Sequence, residues 1–479
     1  MKKNKILILS IGLLLFMTSC EKFVEDYYKD PNGIDYTVAE QEMTAVMLSN
    51  QFFHKADGLR MAMMWMNQAT GIARQYESLD NWNNANGKDF NGPWSQVYLT
   101  MTHADYLMKL AEEENNITLR GIGKLYKAWA GGEAASLWGD VPFSQLNSFD
   151  EYPDPVYDTQ EQVFNQVQDL LDEAIVDLSS NVGILNTDRD IYFGGSTYNW
   201  IKIAHGLKAR FYLHSKDYDL ALQEALQGPS SVYDDLYAKF DSNDDTPYGK
   251  WNPTKFFDLV RGGDMDASEA FANNDIFGDR YNSKTNDFRQ SYNYAGDNLN
   301  MSSGSDRAGK FFGDMPMVTY GEMLLIATEA TLRDATNSNR IDDALNYYNT
   351  YRALLTSGAY SGGYGTGNFQ DYDAADFDAG GIENQDNIDP VKAFFREIFE
   401  ERYVFFIGDY ESFIDFSRSF NDPMVPQYMK LHYETDSNSP NFGNPLYSGQ
   451  PLRFIYPQNE RDANDNFPGM IDINTPLYN

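Results

Sequence analysis

The chain has 479 residues, of which 71 are Asp or Glu and 37 are Lys or Arg, giving a formal net charge of −34 at pH 7. So acidic a surface repels nucleic-acid phosphates and anionic lipid head groups, which excludes nucleic-acid binding and electrostatic attachment to a membrane. Acidity alone would suggest disorder in a chain poor in aromatics, but 33 Tyr, 31 Phe and 7 Trp make this a folded protein with abundant flat ring surface.

At the N-terminus Lys2, Lys3 and Lys5 precede an apolar run from Ile6 to Met17, broken only by Ser10 and Gly12. The run is shorter than the roughly 20 apolar residues of a membrane-spanning helix. Thr18 and Ser19 then lead to Cys20, the layout of a secretory signal peptide over residues 1–19. Cys20 is the only cysteine, so it forms no internal disulfide. Its position resembles a bacterial lipobox, with Met17 where Leu is usual, and the expectation is lipid on Cys20. Several acyl chains anchor stably where one does so only marginally. Residues 20–40, with Asp30-Pro31-Asn32-Gly33 as a turn signal, read as a lipidated tether.

Residues 41–479 read as a single, mostly α-helical domain. From Val163, apolar residues recur at Phe164, Val167, Leu170, Leu171, Ala174, Ile175 and Leu178, one face of a helix. Thr159 and Gln162 supply a capping box at its start. Val391, Phe394, Phe395, Ile398, Phe399, Arg402, Tyr403 and Phe406 repeat the pattern, with Asp389 as N-cap and Pro390 at the first helical position. Two stretches read as tetratricopeptide-type hairpins. In one, Trp200, Ile203, Ala204, Leu207 and Phe211 face Tyr218, Ala221, Leu222 and Ala225 across a turn at Ser215–Asp217. In the other, Met323, Ile326, Ala327 and Ala330 face Ile341, Ala344, Leu345, Tyr348 and Tyr351. Helices near 120–138 and 161–178 suggest a third pair. Such hairpins stack into a right-handed superhelical scaffold. Loop-rich ligand-binding insertions are expected at about 74–94, 241–314 and 357–389, of which the last two are too long to be connectors alone.

Separate stations along the chain resemble the SusD/RagB family of nutrient-binding outer-membrane lipoproteins. They are the lipid cysteine followed by Asp30-Pro31-Asn32; Leu137-Trp138-Gly139-Asp140-Val141-Pro142-Phe143; Ala209-Arg210-Phe211-Tyr212-Leu213 with Asp217-Tyr218; Tyr320-Gly321-Glu322 to Glu329-Ala330 with Tyr351-Arg352 downstream; the Glu401-Arg402 helix running to Asp415 and Arg418; and Tyr456-Pro457 with Glu460 and Asn464. Ile407-Gly408-Asp409-Tyr410 stands where the family usually has Glu-Gly and a nearby Arg, which marks a divergent subgroup. The resemblance implies a cell-surface protein that caps a SusC-type TonB-dependent barrel, binds oligosaccharides or in some members peptides, and does no chemistry.

The residues themselves offer few candidates for catalysis. His54, His103, His205, His214 and His432 show no metal-ligand spacing, and His205 and His214 on a hairpin helix read as structural. No nucleophile elbow, zinc-protease motif, phosphate loop or EF-hand occurs, so no cofactor or metal site is expected, and calcium on an acidic loop stays open. Carboxylates are too numerous for any pair to stand out as that of a glycosidase. A surface glycoside hydrolase or peptidase is the alternative reading, and a helical-repeat scaffold for protein interaction a second. Recognition candidates are aromatic and polar loop residues: Arg74, Tyr76, Asn81 and Trp82 in one loop, Arg280, Tyr281, Arg289 and Tyr292 in another. Trp82, flanked by Asp80, Asn81, Asn83 and Asn84, is evenly divided between a ligand platform and loop packing. Trp65, Trp94, Trp129 and Trp200 fit helical apolar faces and read as core.

Overall fold

Among the described residues twelve helices organise the chain in the computed structural model: α1 (Ala39–Lys55), α2 (Asp57–Trp65), α3 (Arg74–Asp80), α4 (Asn91–Glu113), α5 (Ile117–Trp138), α6 (Gln160–Ser179), α7 (Thr197–His214), α8 (Tyr218–Ala225), α9 (Tyr320–Arg333), α10 (Arg340–Thr356), α11 (Pro390–Phe405) and α12 (Glu411–Ser419). Shorter helical turns lie between and after them. The structure describes residues 37–478 apart from 56, 149–150, 239–262, 296–297, 300–314, 361–366, 435–438 and 442. The leader, Cys20 and most of the tether lie outside the described residues.

Local signals set the helix ends as expected. The Thr159 hydroxyl accepts from the Gln162 N–H and the Gln162 side chain accepts from the Thr159 N–H, so both reciprocal bonds of the capping box start α6. Asp389 accepts from Val391 and Lys392 N–H ahead of Pro390 in α11. Asp217 caps α8 after the Ser215–Asp217 turn.

From α4 to α10 consecutive helices pack on one another. α4 lies against α1 and α5, α6 against α5 and α7, α8 against α7 and α9, and α9 against α10. All three expected hairpins are therefore present, in a mostly helical, tetratricopeptide-like scaffold. Glycine permits the closest approaches: a Cβ on Gly132 of α5 would stand 2.4 Å from the Phe211 ring of α7. Trp65, Trp129 and Trp200 are fully buried and Trp94 nearly so, because their rings face these helix seams.

Strands are minor. The described residues hold four two-stranded antiparallel ladders. One pairs Leu236–Ala238 with Met315–Val318, with Ala238 opposite Met315. The two ends of the long insertion are thereby stitched together, so it leaves and rejoins the scaffold at one place. Within it, Met265–Asp266 pairs with Thr70–Gly71 just ahead of α3.

The stations that carry the family resemblance meet in the interior. Arg210 of α7 donates to both oxygens of Glu322 of α9 at 2.7 and 2.8 Å, and to Glu133 of α5 at 3.1 Å. Arg402 of α11 is held by Asp415 of α12 at 2.7 and 3.0 Å. Arg418 grips Glu329 of α9 at 2.6 and 2.8 Å. These ionised groups are buried, where a lone charge is very costly and a multiply bonded one is tolerated. His214 joins them through Glu411 at 3.1 Å and Ser136 at 2.9 Å. His205 meets Glu224 at 2.6 Å, so both hairpin histidines are structural as expected. Similarly, Trp138 donates to the Ile455 carbonyl at 3.0 Å and Tyr456 to the Asp140 carbonyl at 2.6 Å, which joins the Gly-Asp-Val-Pro corner to the Tyr-Pro station.

Candidate functional site

Two segments distant in sequence build a broad groove. The first is the end of α3 and the single 3₁₀ turn Trp82–Asn84 that follows. Asp80 closes α3 from a buried position, accepting from the Gly71 N–H at 3.0 Å and the Tyr447 hydroxyl at 3.1 Å, with His432 Nε2 3.6 Å away. Burial pushes the Asp80 carboxyl above its ordinary range, and His432 and these hydrogen bonds oppose the rise. The Asn81 side chain caps the turn by accepting from the Asn83 N–H at 3.0 Å.

The second segment runs from the end of α12 to Gln450. Its two arms pair, with Leu446 N–H donating to the His432 carbonyl at 2.9 Å and Tyr433 bridged to Pro445. Trp82 Nε1 and Asn83 Nδ2 both donate to the Ser448 carbonyl oxygen at 3.0 Å. The Tyr447 ring meets the Trp82 ring edge-on, with centroids 5.0 Å apart and planes at 89°. His432 completes the cluster, 5.5 Å from Tyr447 and bonded to the Met64 carbonyl at 2.7 Å.

Around this cluster opens a groove of about 1080 Å³, lined among others by Trp82, Tyr428, Lys430, His432, Tyr433 and Tyr447. That is ample for an oligomeric ligand, since small-molecule sites measure roughly 300–1,000 Å³. Tyr433 donates to Asp275 at 2.9 Å, which fixes its ring on the wall. The Lys430 ammonium stands 5.5 Å from the centroids of both Phe271 and Tyr433. Flat rings with interspersed donors suit a ligand that has apolar faces and hydroxyl edges. Among the described residues no group of three or more His, Cys, Asp or Glu is arranged to hold a metal ion, and no helix is long and apolar enough to cross a membrane.

The candidate residues from the sequence separate into distinct environments. Trp82 does line the groove, but it does not stand free in an open polar loop: its indole is 1 % exposed, because the 443–450 arm folds over it and supplies the partner for its N–H. Asn81 is half-buried and caps its own turn. Tyr76 is buried and faces a separate cavity of about 260 Å³ with Gln75, Ser78 and Asn84. Arg74 pairs with buried Asp264. Arg280 and Arg289 are not loop-surface recognition groups. Both are buried, Arg280 donating to Glu401 at 2.6 Å and Arg289 to the same carboxylate at 2.7 and 2.8 Å and to Asp287 at 2.6 Å. Their charges are consumed in fastening the insertion to α11. Tyr281 is 66 % exposed and is not among the groove residues. The Tyr292 side chain lies outside the described residues. Tyr428, Lys430, Tyr433 and Tyr447 are not among the recognition residues expected from sequence, and His432 is considered there only as a metal ligand, although 426–450 sets Tyr428, Tyr433 and Tyr447 among Asn, Ser and Gly as the expected recognition loops do.

A family described as "Starch-binding associating with outer membrane", the SusD-like proteins, matches residues 35–419. Among solved structures, a SusD/RagB family protein from Bacteroides thetaiotaomicron is 19% identical with a TM-score of 0.63, covering 90% of this chain and 95% of its own. A SusD homologue from Bacteroides fragilis is 16% identical with a TM-score of 0.65, covering 92% and 99%. A chitin-binding protein is 15% identical with a TM-score of 0.59, covering 90% and 95%. A search of curated proteins found no match. The family match over most of the chain and the shared fold together establish that this chain belongs to the SusD-like family.

Proposed function

We propose that the protein is a non-catalytic cell-surface lipoprotein, anchored through Cys20, that captures a glycan (or an oligopeptide) in the groove at Trp82, Tyr433 and Tyr447 and delivers it to a SusC-type TonB-dependent barrel in the outer membrane. The observation that carries this reading is the aromatic-lined groove of about 1080 Å³ in a chain of a family described as starch-binding. A sugar ring has an apolar C–H face that gains by leaving water against an aromatic ring, while its hydroxyls need the donors and acceptors between the rings. Membership of a family associated with the outer membrane, together with the signal peptide and lone cysteine, supports the anchor. A shared membrane raises the effective concentration of binder and barrel, which supports delivery.

Titration calorimetry of the purified mature protein against soluble oligosaccharides and oligopeptides tests the capture step. Binding is expected, and Tyr433→Ala should weaken it by more than about tenfold, as for an aromatic hot spot worth about 2 kcal/mol. Failure of every glycan and peptide to bind would overturn the reading. Purification from gently solubilised membranes should recover a large barrel protein, and recovery of the chain alone would count against delivery.

A further inference from the structure

The groove differs in charge from the protein around it. Asp and Glu make up 71 of the 479 residues, yet among the described residues none that lines the groove is acidic, whereas Lys430 and His432 both do. Two nearby carboxylates stand behind the wall and are already engaged. Asp80 is buried beneath Trp82 and holds the Tyr447 hydroxyl, and Asp275 holds the Tyr433 hydroxyl.

Lys430 is the other half of the pattern. Its side chain is exposed and it forms no ion pair with a described carboxylate, in a molecule where the interior arginines are bonded to several. Its ammonium instead lies over the rings of Phe271 and Tyr433. A cation over aromatic faces keeps its donors on the open side while the rings hold it in place. At physiological ionic strength charges are screened within about 8 Å, so the groups lining the groove weigh more on a bound ligand than the distant net charge does.

From this we propose that the groove takes an anionic glycan, whose carboxylate or sulfate group is paired with the Lys430 ammonium while adjoining sugar faces lie on Tyr433 and the neighbouring rings. The inference rests on the glycan-binding reading above and names its ligand class. It also accounts for the lack of acidic side chains among the described residues that line the groove: a carboxylate on the wall would repel the ligand's charge at contact distance.

Matched probes separate charge from backbone. Oligogalacturonate is compared with its fully methyl-esterified form for the carboxylate, and sulfated dextran with dextran for the sulfate. The expected result is that one charged member binds at least about threefold more tightly than its neutral partner, the scale of a solvent-accessible ion pair, and that this preference fades with added salt. Lys430→Gln should abolish the preference, bringing the charged member's affinity down to that of its neutral partner. Neutral members binding as tightly as charged ones, or a preference that survives Lys430→Gln, would overturn the inference while glycan capture stands. If neither these probes nor neutral starch and chitin oligosaccharides bind, glycan capture itself falls and the inference falls with it.

Discussion

Trp82 Nε1 donates to the Ser448 carbonyl oxygen at 3.0 Å although 366 positions separate the two residues. This bond and the Tyr447 ring over the indole turn a residue of the polar α3 loop into part of the core. Removing a fully buried tryptophan side chain costs roughly 3–5 kcal/mol in lost transfer energy and cavity. Trp82→Ala is therefore expected to lower stability by about that amount in urea denaturation, and to weaken ligand binding by disordering Tyr447 and the 443–450 arm. An unchanged unfolding midpoint would show that the indole is dispensable to packing.

Two interior carboxylates, Glu329 and Glu401, should contribute to acid stability. Burial pushes Glu329 and Glu401 up, but Arg418 beside the first, and Arg289 and Arg280 beside the second, outweigh it and hold both at about 2. A carboxyl depressed from its ordinary 4.5 contributes stability that is present above that value and lost as pH falls toward 2. Each contributes on the order of 3 kcal/mol. Denaturation at a series of pH values should show a steep loss between about pH 5 and pH 2. Glu329→Gln should be less stable at pH 7, by roughly 3–5 kcal/mol as for a broken buried pair, and should lose less than the wild type on acidification.

Asp235 predicts the opposite slope. Burial raises its carboxyl to about 7, while it accepts from the Tyr320 N–H at 2.7 Å and the Tyr360 hydroxyl at 3.0 Å. A raised folded value means stability that is full below the ordinary carboxylate range and declines as pH rises toward 7. Asp235→Asn keeps an acceptor oxygen without the charge. Its stability should therefore fall less than that of the wild type between about pH 4 and pH 7. Parallel curves for the two proteins would refute the assignment.

The α5–α7 seam leaves no room for a methyl group at Gly132, where a Cβ would meet the Phe211 ring at 2.4 Å. Gly132→Ala should cost about 1–3 kcal/mol from overpacking, despite the better helix propensity of alanine. Gly278, where an added Cβ meets nothing within 4 Å, is the control, and Gly278→Ala should be neutral or slightly stabilising. Thermal unfolding of both variants distinguishes the seam from a general intolerance of substitution.

Anchoring is tested in cells. Cys20→Ser should move the protein from the membrane to the soluble fraction, because the acyl chains supply the membrane affinity that the acidic surface cannot. Retention in the membrane at the wild-type level would sink the lipoprotein reading.

By itself the sequence determined the features whose physics is local. The α6 capping box, Pro390 at the head of α11, the Asp217 turn and the apolar spacing of the hairpins all act within a few residues, so the helical class and its pairing were legible. The ordered stations from Gly139 to Tyr456 pointed to the family for a related reason: their charged members can be buried only in one mutual arrangement, which constrains residue types along the whole chain. What tertiary structure alone decided was which loop residues face outward. Arg280 and Arg289 in a polar loop carry the same local pattern as ligand-binding arginines, and only the arrival of Glu401 from α11 uses up their charge. Trp82 looked open because its cover comes from residues near 448, and Tyr433, Tyr447 and Lys430 have no helical or strand period to mark them. A groove assembled from segments hundreds of residues apart leaves no spacing signal in either one, because its geometry exists only once both are folded onto the same scaffold.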